Sequence, residues 1–321
     1  MHAFHHAPAL LENGRSLGVE FGIHLPNRTN INSVIIDGDI IKDQPLKVGS
    51  QVPIIAGSST YMTGFASDIL LCLIFVLDSH DSSLFVLPNY SGSDITNSTW
   101  QNFLKQWGTY ADKVDEQYPL CGFKNDILEA IVHVTTMSGF LCPTFKALRA
   151  SKQPAFAYAF NHTPSCPWMW VKGKEFPKSG LFGPTHTSEL PFTLANIDFQ
   201  PETNGSCNGT KEERDISDFM VSAWTSMAVR SRPHDMWPAF NASDPRGLRL
   251  EGKASFETLD FSECNFWDDI WAQMGGVNFS TPQGFNQSWP YDKSCQSNGH
   301  ILGIRWGLLV ASIIFISFLQ T

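Results

Sequence analysis

Short apolar runs alternate along this chain with amphipathic stretches of helical period, and that alternation leaves few folds open. "SVIIDG" (33–38) and "QVPIIAG" (51–57) read as buried strands ended by glycine, and "AFAYAF" (155–160) reads as a third. Helical patterns fall between and after them. Behind a run of Thr, Asn and Ser suited to capping, Trp100, Phe103, Leu104, Trp107, Ala111 and Val114 predict a helix from Asn97. "ILEAIVHV" (127–134) predicts a second helix and "CPTFKALRAS" (142–151) a third, with Pro143 in its first turn, where a missing N–H costs nothing. The most regular run begins at Thr210, which is spaced with Glu213 as a capping box. It continues through Ile216, Phe219, Met220, Ala223, Trp224, Met227 and Ala228 to about Arg230, and its Met and Trp stripe reads as a core-facing surface. "CNFWDDIWAQM" (264–274) predicts a last short helix. Strands interleaved with helices predict an α/β fold with a mainly parallel sheet. "DILLCLIFVLDSHDSS" (68–83) fits worst, because its apolar run has neither a helical nor an alternating period; it is either a buried strand or foreign to the fold.

The 321 residues, 42% of them hydrophobic and 12% aromatic, suffice for one large α/β domain or two ordinary ones. A net charge of −9 with no basic block excludes nucleic acid as a partner. The histidine cluster "HAFHH" (2–6) has no cysteine or carboxylate at ligand spacing and there is no glycine-rich phosphate loop, so neither a metal nor another cofactor is expected. Asn-x-Ser/Thr occurs nine times, at Asn27, Asn89, Asn97, Asn161, Asn204, Asn208, Asn241, Asn278 and Asn286, which points to the secretory pathway. There the seven cysteines could pair, and the odd number leaves at least one thiol free or bonded outside the chain. "MHAFHHAPALLENG" lacks a basic region followed by an apolar run, so the signal peptide is expected to be absent from this chain.

His186 lies in "GLFGPTHTSELPF" (180–192), where Gly183 and Pro184 fix the backbone ahead of it. Catalytic side chains concentrate on such loops, although a lone histidine is more often structural. "GPTHTSELPF", "FLCPT" (140–144), "SVIIDGD" (33–39), "QVPIIAGS" (51–58), "WPAF" (237–240) and "ECNFWDD" (263–269) follow one another in the order and approximate spacing of a known family. In these motifs the chain resembles the type-B carboxylesterases, which include cholinesterases and fungal lipases of the α/β-hydrolase fold. The resemblance covers about residues 30–272. It implies the C-terminal part of that fold, a partial and mainly parallel sheet flanked by helices.

The resemblance further implies a Ser, Glu/Asp, His triad with His186 as general base, taking the serine proton and giving it to the departing alcohol of an ester substrate. Glu189 and Phe192 would pack the turn against the sheet. The G-x-S-x-G elbow and the oxyanion loop are expected in a portion that precedes "VIIDG" and lies outside this chain. The acid should follow "VPIIAGS", where Met62 and Thr63 stand instead. An insertion such as an unspliced intron is expected over about 65–83, which leaves Asp81 as the fallback acid. Met137 replaces the Asp that the family tends to carry ahead of "FLCPT", a change expected to loosen a loop. The family's paired positions imply a disulfide between Cys142 and Cys264. The chain therefore divides into a non-family leader (1–29), the C-terminal portion of a carboxylesterase domain (30–274), a glycosylated stalk (275–299) and a hydrophobic anchor signal (300–321). The expected function is that of a truncated ester hydrolase keeping only the histidine, and the alternative is a non-catalytic adhesion or binding protein on the same scaffold.

The tail "ILGIRWGLLVASIIFISFLQT" has 14 uncharged residues after Arg305, from Trp306 to Leu319, against the roughly 20 that cross a bilayer. No basic stop signal follows, and "SCQSNG" (294–299) supplies small residues, so the tail reads as a glycolipid-anchor signal attached at Ser294, with a short transmembrane anchor as the runner-up. A secreted reporter fused ahead of this tail is expected to leave the cell surface on treatment with phosphatidylinositol-specific phospholipase C. Retention on the membrane with residues 301–321 intact would contradict the reading.

Overall fold

The computed structural model describes residues 39, 43, 45–59, 96–166, 184, 187–198, 207–276 and 278, with the side chain of Leu128 excepted. The strand expected over 33–38, the apolar segment 68–83 and the C-terminal tail lie outside these residues.

A short helix α1 (Pro45–Val48) leads into strand β1 (Ile54–Ser59). Helix α2 (Asn97–Leu104) follows, then a 3-10 turn (Lys105–Tyr110) and α3 (Ala111–Gln117). The sequence predicts one continuous helix here. Gly108, at φ 55° and ψ −123°, breaks it, because only glycine reaches that backbone region without strain. Next come a 3-10 turn (Leu120–Phe123), α4 (Ile127–Thr136) and α5 (Cys142–Ala150). Asp126 caps α4 by accepting the N–H of Glu129 at 3.0 Å. Rather than standing apart, α4 and α5 are joined by a π-helical segment, Met137–Leu141. Pro143 cannot donate to the turn before it, and a wider turn accommodates that lost bond. Met137 thus sits in helix, partly buried against the core, and not in the loop expected of it.

Strand β2 spans Ala155–Phe160, and a one-turn helix α6 covers Leu190–Thr193. Helix α7 (Lys211–Arg230) carries the capping box: Thr210 accepts the N–H of Glu213, and the Glu213 carboxylate accepts that of Thr210. Ile216, Met220 and Ala223 are buried along it, whereas Ala228, at the end of the apolar stripe, is exposed. Strands β3 (Arg246–Glu251) and β4 (Lys253–Thr258) form a hairpin, and α8 (Cys264–Gln273) completes the described elements. The sequence reading missed the hairpin, because charges at Arg246, Arg249, Glu251, Lys253 and Glu257 dilute its apolar content. The signal was the alternation of Leu248 and Leu250 with those charges, closed by Gly252 at φ 65°.

The four strands form one sheet in the order β1-β2-β3-β4, parallel at the first two junctions and antiparallel at the third. Side chains alternate across a strand, so β2 sends two different sets to its two faces. Ala155, Ala157 and Ala159 face a core built by α2 to α5 and α8, which includes Trp100, Trp107, Phe145 and Trp267. Phe156, Tyr158 and Phe160 face a second core with Ile216 and Met220 of α7, Phe192 and Trp237. Two buried indoles find polar partners, Trp267 Nε1 donating to Tyr118 Oη at 2.8 Å and Trp237 Nε1 to the Ala157 carbonyl at 3.1 Å, whereas Trp107 Nε1 has none among the described residues.

A disulfide joins Cys142 to Cys264, the pairing that the family resemblance implies, and ties α5 to α8 across 122 residues of chain. Chain-entropy reasoning assigns about 4–5 kcal/mol to a loop of that size. Beside it, Asp268 of α8 takes a charged hydrogen bond from Arg149 of α5, and the buried Lys146 ammonium lies 4.7 Å above the Trp271 ring.

Gly57 is fixed by close approach, since a Cβ there would stand 2.3 Å from both the ring and the carbonyl oxygen of Tyr158 on the paired strand. Gly57→Ala is expected to destabilise the fold by about 1–3 kcal/mol in urea titration, the usual cost of overpacking. A midpoint equal to wild type would mean that Tyr158 can move aside freely.

Candidate active site

In open sheets of parallel strands, reactive groups gather beyond the carboxyl ends of the strands. At that end β1 finishes in buried Ser58 and Ser59, and β2 in buried Phe160. The segment Thr187–Thr193 lies across both strand ends. Ser59 Oγ donates to Glu189 Oε2 at 3.4 Å, and the Phe192 ring packs edge-on against Phe160, with centroids 5.2 Å apart. Helix α7 holds the segment from below, through a hydrogen bond from Ser217 Oγ to the Phe192 carbonyl at 2.8 Å.

The turn itself is strained. Thr187, a β-branched residue, has φ 69°, and its carbonyl accepts the N–H of Leu190 at 3.0 Å. Such a residue in the left-handed region costs on the order of 1–3 kcal/mol, and strain of this kind concentrates at functional sites. Ser188 is fully buried, and its hydroxyl has no hydrogen-bond partner among the described residues.

Glu189 gives the site its electrostatic character. Burial pushes its carboxyl above the ordinary range, while its own backbone N–H and the Ser59 hydroxyl act in the opposite direction. The phenol of Tyr158 is also raised, by burial first and by the nearby Glu189 carboxylate second. The carboxylate is therefore a poorly solvated group at the carboxyl end of β1, where the resemblance implied only packing.

A second carboxylate behaves oppositely. Glu213 is 2% exposed, and burial alone would raise its pKa. Hydrogen bonds from His162, the Ser165 hydroxyl and N–H, and the Thr210 N–H outweigh that effect and hold it at about 2. Nearby, a second disulfide joins Cys166 to Cys207 over 41 residues and closes the stretch of chain that contains Thr187–Thr193. The sequence left this pair open among seven cysteines. Cys121 is disulfide-bonded as well.

Of the residues singled out from sequence, His186, Asp81, Met62 and Thr63 lie outside the described residues, as do Ser294 and the sequon asparagines Asn27, Asn89, Asn204 and Asn286. Asn97, Asn208, Asn241 and Asn278 are exposed, and Asn161 is half-buried. No cluster of three metal-ligating side chains occurs among the described residues, and no described helix is long and apolar enough to cross a membrane.

The carboxylesterase family profile matches residues 8–267. The chain belongs to the carboxylesterase family. A relative within reach is the acetylcholinesterase of Bungarus fasciatus, 27% identical over an alignment of 157 residues that covers 44% of this chain and 23% of that enzyme. The chain thus matches under a quarter of the length of this relative. The family match begins at residue 8, inside the stretch set apart above as a leader. That stretch also holds a string with G-x-S-x-G spacing, Gly14-Arg15-Ser16-Leu17-Gly18, against the expectation that the chain has none. An elbow needs a strand before the serine and a helix after it, and residues 14–18 lie outside the described residues.

The two carboxylates are expected to respond oppositely to pH. A folded pKa above the unfolded one makes Glu189 favourable below its unfolded pKa and costly once pH passes the folded value. Glu189→Gln should therefore raise the melting temperature at pH 7 and lose that advantage at about pH 4. Glu213 has a lowered pKa, so its contribution is complete above its unfolded pKa of 4.5 and fades as pH falls toward 2. Glu213→Gln should cost about 2–3 kcal/mol at pH 7 and little in strong acid. Thermal melts of both variants between pH 2.5 and 7 check the signs.

Proposed function

We propose that the chain is the histidine-bearing C-terminal portion of a secreted serine ester hydrolase, with His186 as the general base of an acyl-enzyme mechanism whose nucleophile comes from outside this chain. The observation that carries this reading is the seating of Thr187–Thr193, one residue past His186, across the carboxyl ends of β1 and β2, in a chain that matches the carboxylesterase family over residues 8–267. The substrate class follows from the family: carboxylic esters. Disulfides on both faces of the sheet and the sequons support passage through the secretory pathway. The tail carries the glycolipid-anchor reading, which would place the chain at the outer membrane face.

Without a nucleophile His186 has no hydroxyl to activate, and each missing oxyanion donor removes roughly 3 kcal/mol of transition-state stabilisation. The purified chain is expected to hydrolyse p-nitrophenyl acetate no faster than buffer. A measurable rate abolished by His186→Ala would show that the chain holds its own nucleophile, and loss of the same rate in Ser16→Ala would assign it to the Gly14–Gly18 string.

A further inference from the structure

Asn241 opens an Asn-Ala-Ser sequon in the turn that leads into β3, and both Asn241 and Ser243 are exposed. Its side-chain oxygen accepts the N–H of Ser243 at 3.0 Å, and an antiparallel bridge pairs Asn241 with Asp244. The oxygen is committed to its own turn, which leaves Nδ2, the atom that receives an N-linked sugar, pointing away from it. Asn241 also forms part of the wall of an open groove of about 660 Å³ between this turn and the connection from α5 to β2. Arg149, Ser151, Gln153, Pro154 and Phe240 line it as well. The volume lies within the range of about 300–1,000 Å³ typical of small-molecule sites. The Arg149 guanidinium is buried and bonded to Asp268, and the Ser151 hydroxyl is bonded to the Gln153 backbone, so the Gln153 amide beside Pro154 is what the groove offers a sugar, whose hydroxyls ring its edge while its C–H groups form apolar faces. Phe240 N–H donates to the Ala155 carbonyl at 2.7 Å, which sets the groove at the amino end of β2, the end of the sheet opposite Glu189.

We propose that Asn241 carries an N-linked glycan whose first sugars lie in this groove. The proposal rests on the secretory reading above. In the attachment step a bond forms between Asn241 Nδ2 and the anomeric carbon of a lipid-linked oligosaccharide diphosphate. The bond from that carbon to the diphosphate oxygen breaks, and Nδ2 gives up one proton to the transferase. Asn208, exposed at the entry to α7 and not part of the groove wall, is the internal comparison.

The full chain, directed into the secretory pathway of cultured cells, is digested in its native state with peptide N-glycosidase, and release is followed site by site by mass spectrometry. The Asn241 glycan is expected to be released about tenfold more slowly than the Asn208 glycan, the protection that one or two net hydrogen bonds give. The difference should disappear in denaturant and shrink in Gln153→Ala. Equal native rates would overturn the groove assignment, as would an occupied Asn208 beside a bare Asn241. A chain glycosylated at no sequon would overturn the secretory reading and this proposal with it.

Discussion

Everything described here is organised around the alternation of small and large side chains in "AFAYAF". Alanines on one face of β2 let indole and phenyl rings of α2 to α5 and α8 approach the sheet closely, and aromatics on the other face fill the space under α7. Because successive side chains of a strand point to opposite faces, a slip of one residue would set three aromatic rings against tryptophans and leave three alanines opposite a helix built to meet rings. The pairings of β1 and β3 with β2 fix the same register on either side, so one strand positions both cores and, at its carboxyl end, Phe160 and the loop that packs on it.

Most of this frame was legible in the sequence because the signals are local. The strand at 155–160 and the helix from Thr210 have strict periods, and the capping box announces the start of the helix. Elements whose form depends on distant partners were not legible. The hairpin of β3 and β4 hides its two leucines among charges that pair with one another, Arg249 with Glu251 along β3 and with Glu257 across to β4. Gly108 and Pro143 each reshape a helix through a single residue, and apolar spacing alone does not register either effect.

At the candidate site the limits are sharper. A motif placed Glu189 in the right loop but said nothing of its charge, because the raised pKa comes from burial in the folded chain, offset only in part by the hydroxyl of Ser59, 130 residues away in sequence. Glu213 was legible as a helix cap, yet the same carboxylate also gathers His162 and Ser165 from the segment after β2. Two glutamates with similar sequence credentials thus end with opposite electrostatics: among the described residues one accepts from the Ser59 hydroxyl and its own N–H, and the other has four donors.

The bridge between Cys166 and Cys207, with its Cα atoms 5.8 Å apart, gives the intervening chain a property of its own. A single peptide-bond cleavage anywhere between these residues, the stretch that includes His186, leaves both pieces covalently joined. A nick beside the candidate general base would leave the chain's apparent mass unchanged until a reductant separated the halves. Intact migration under oxidising conditions is therefore no guarantee of an intact site.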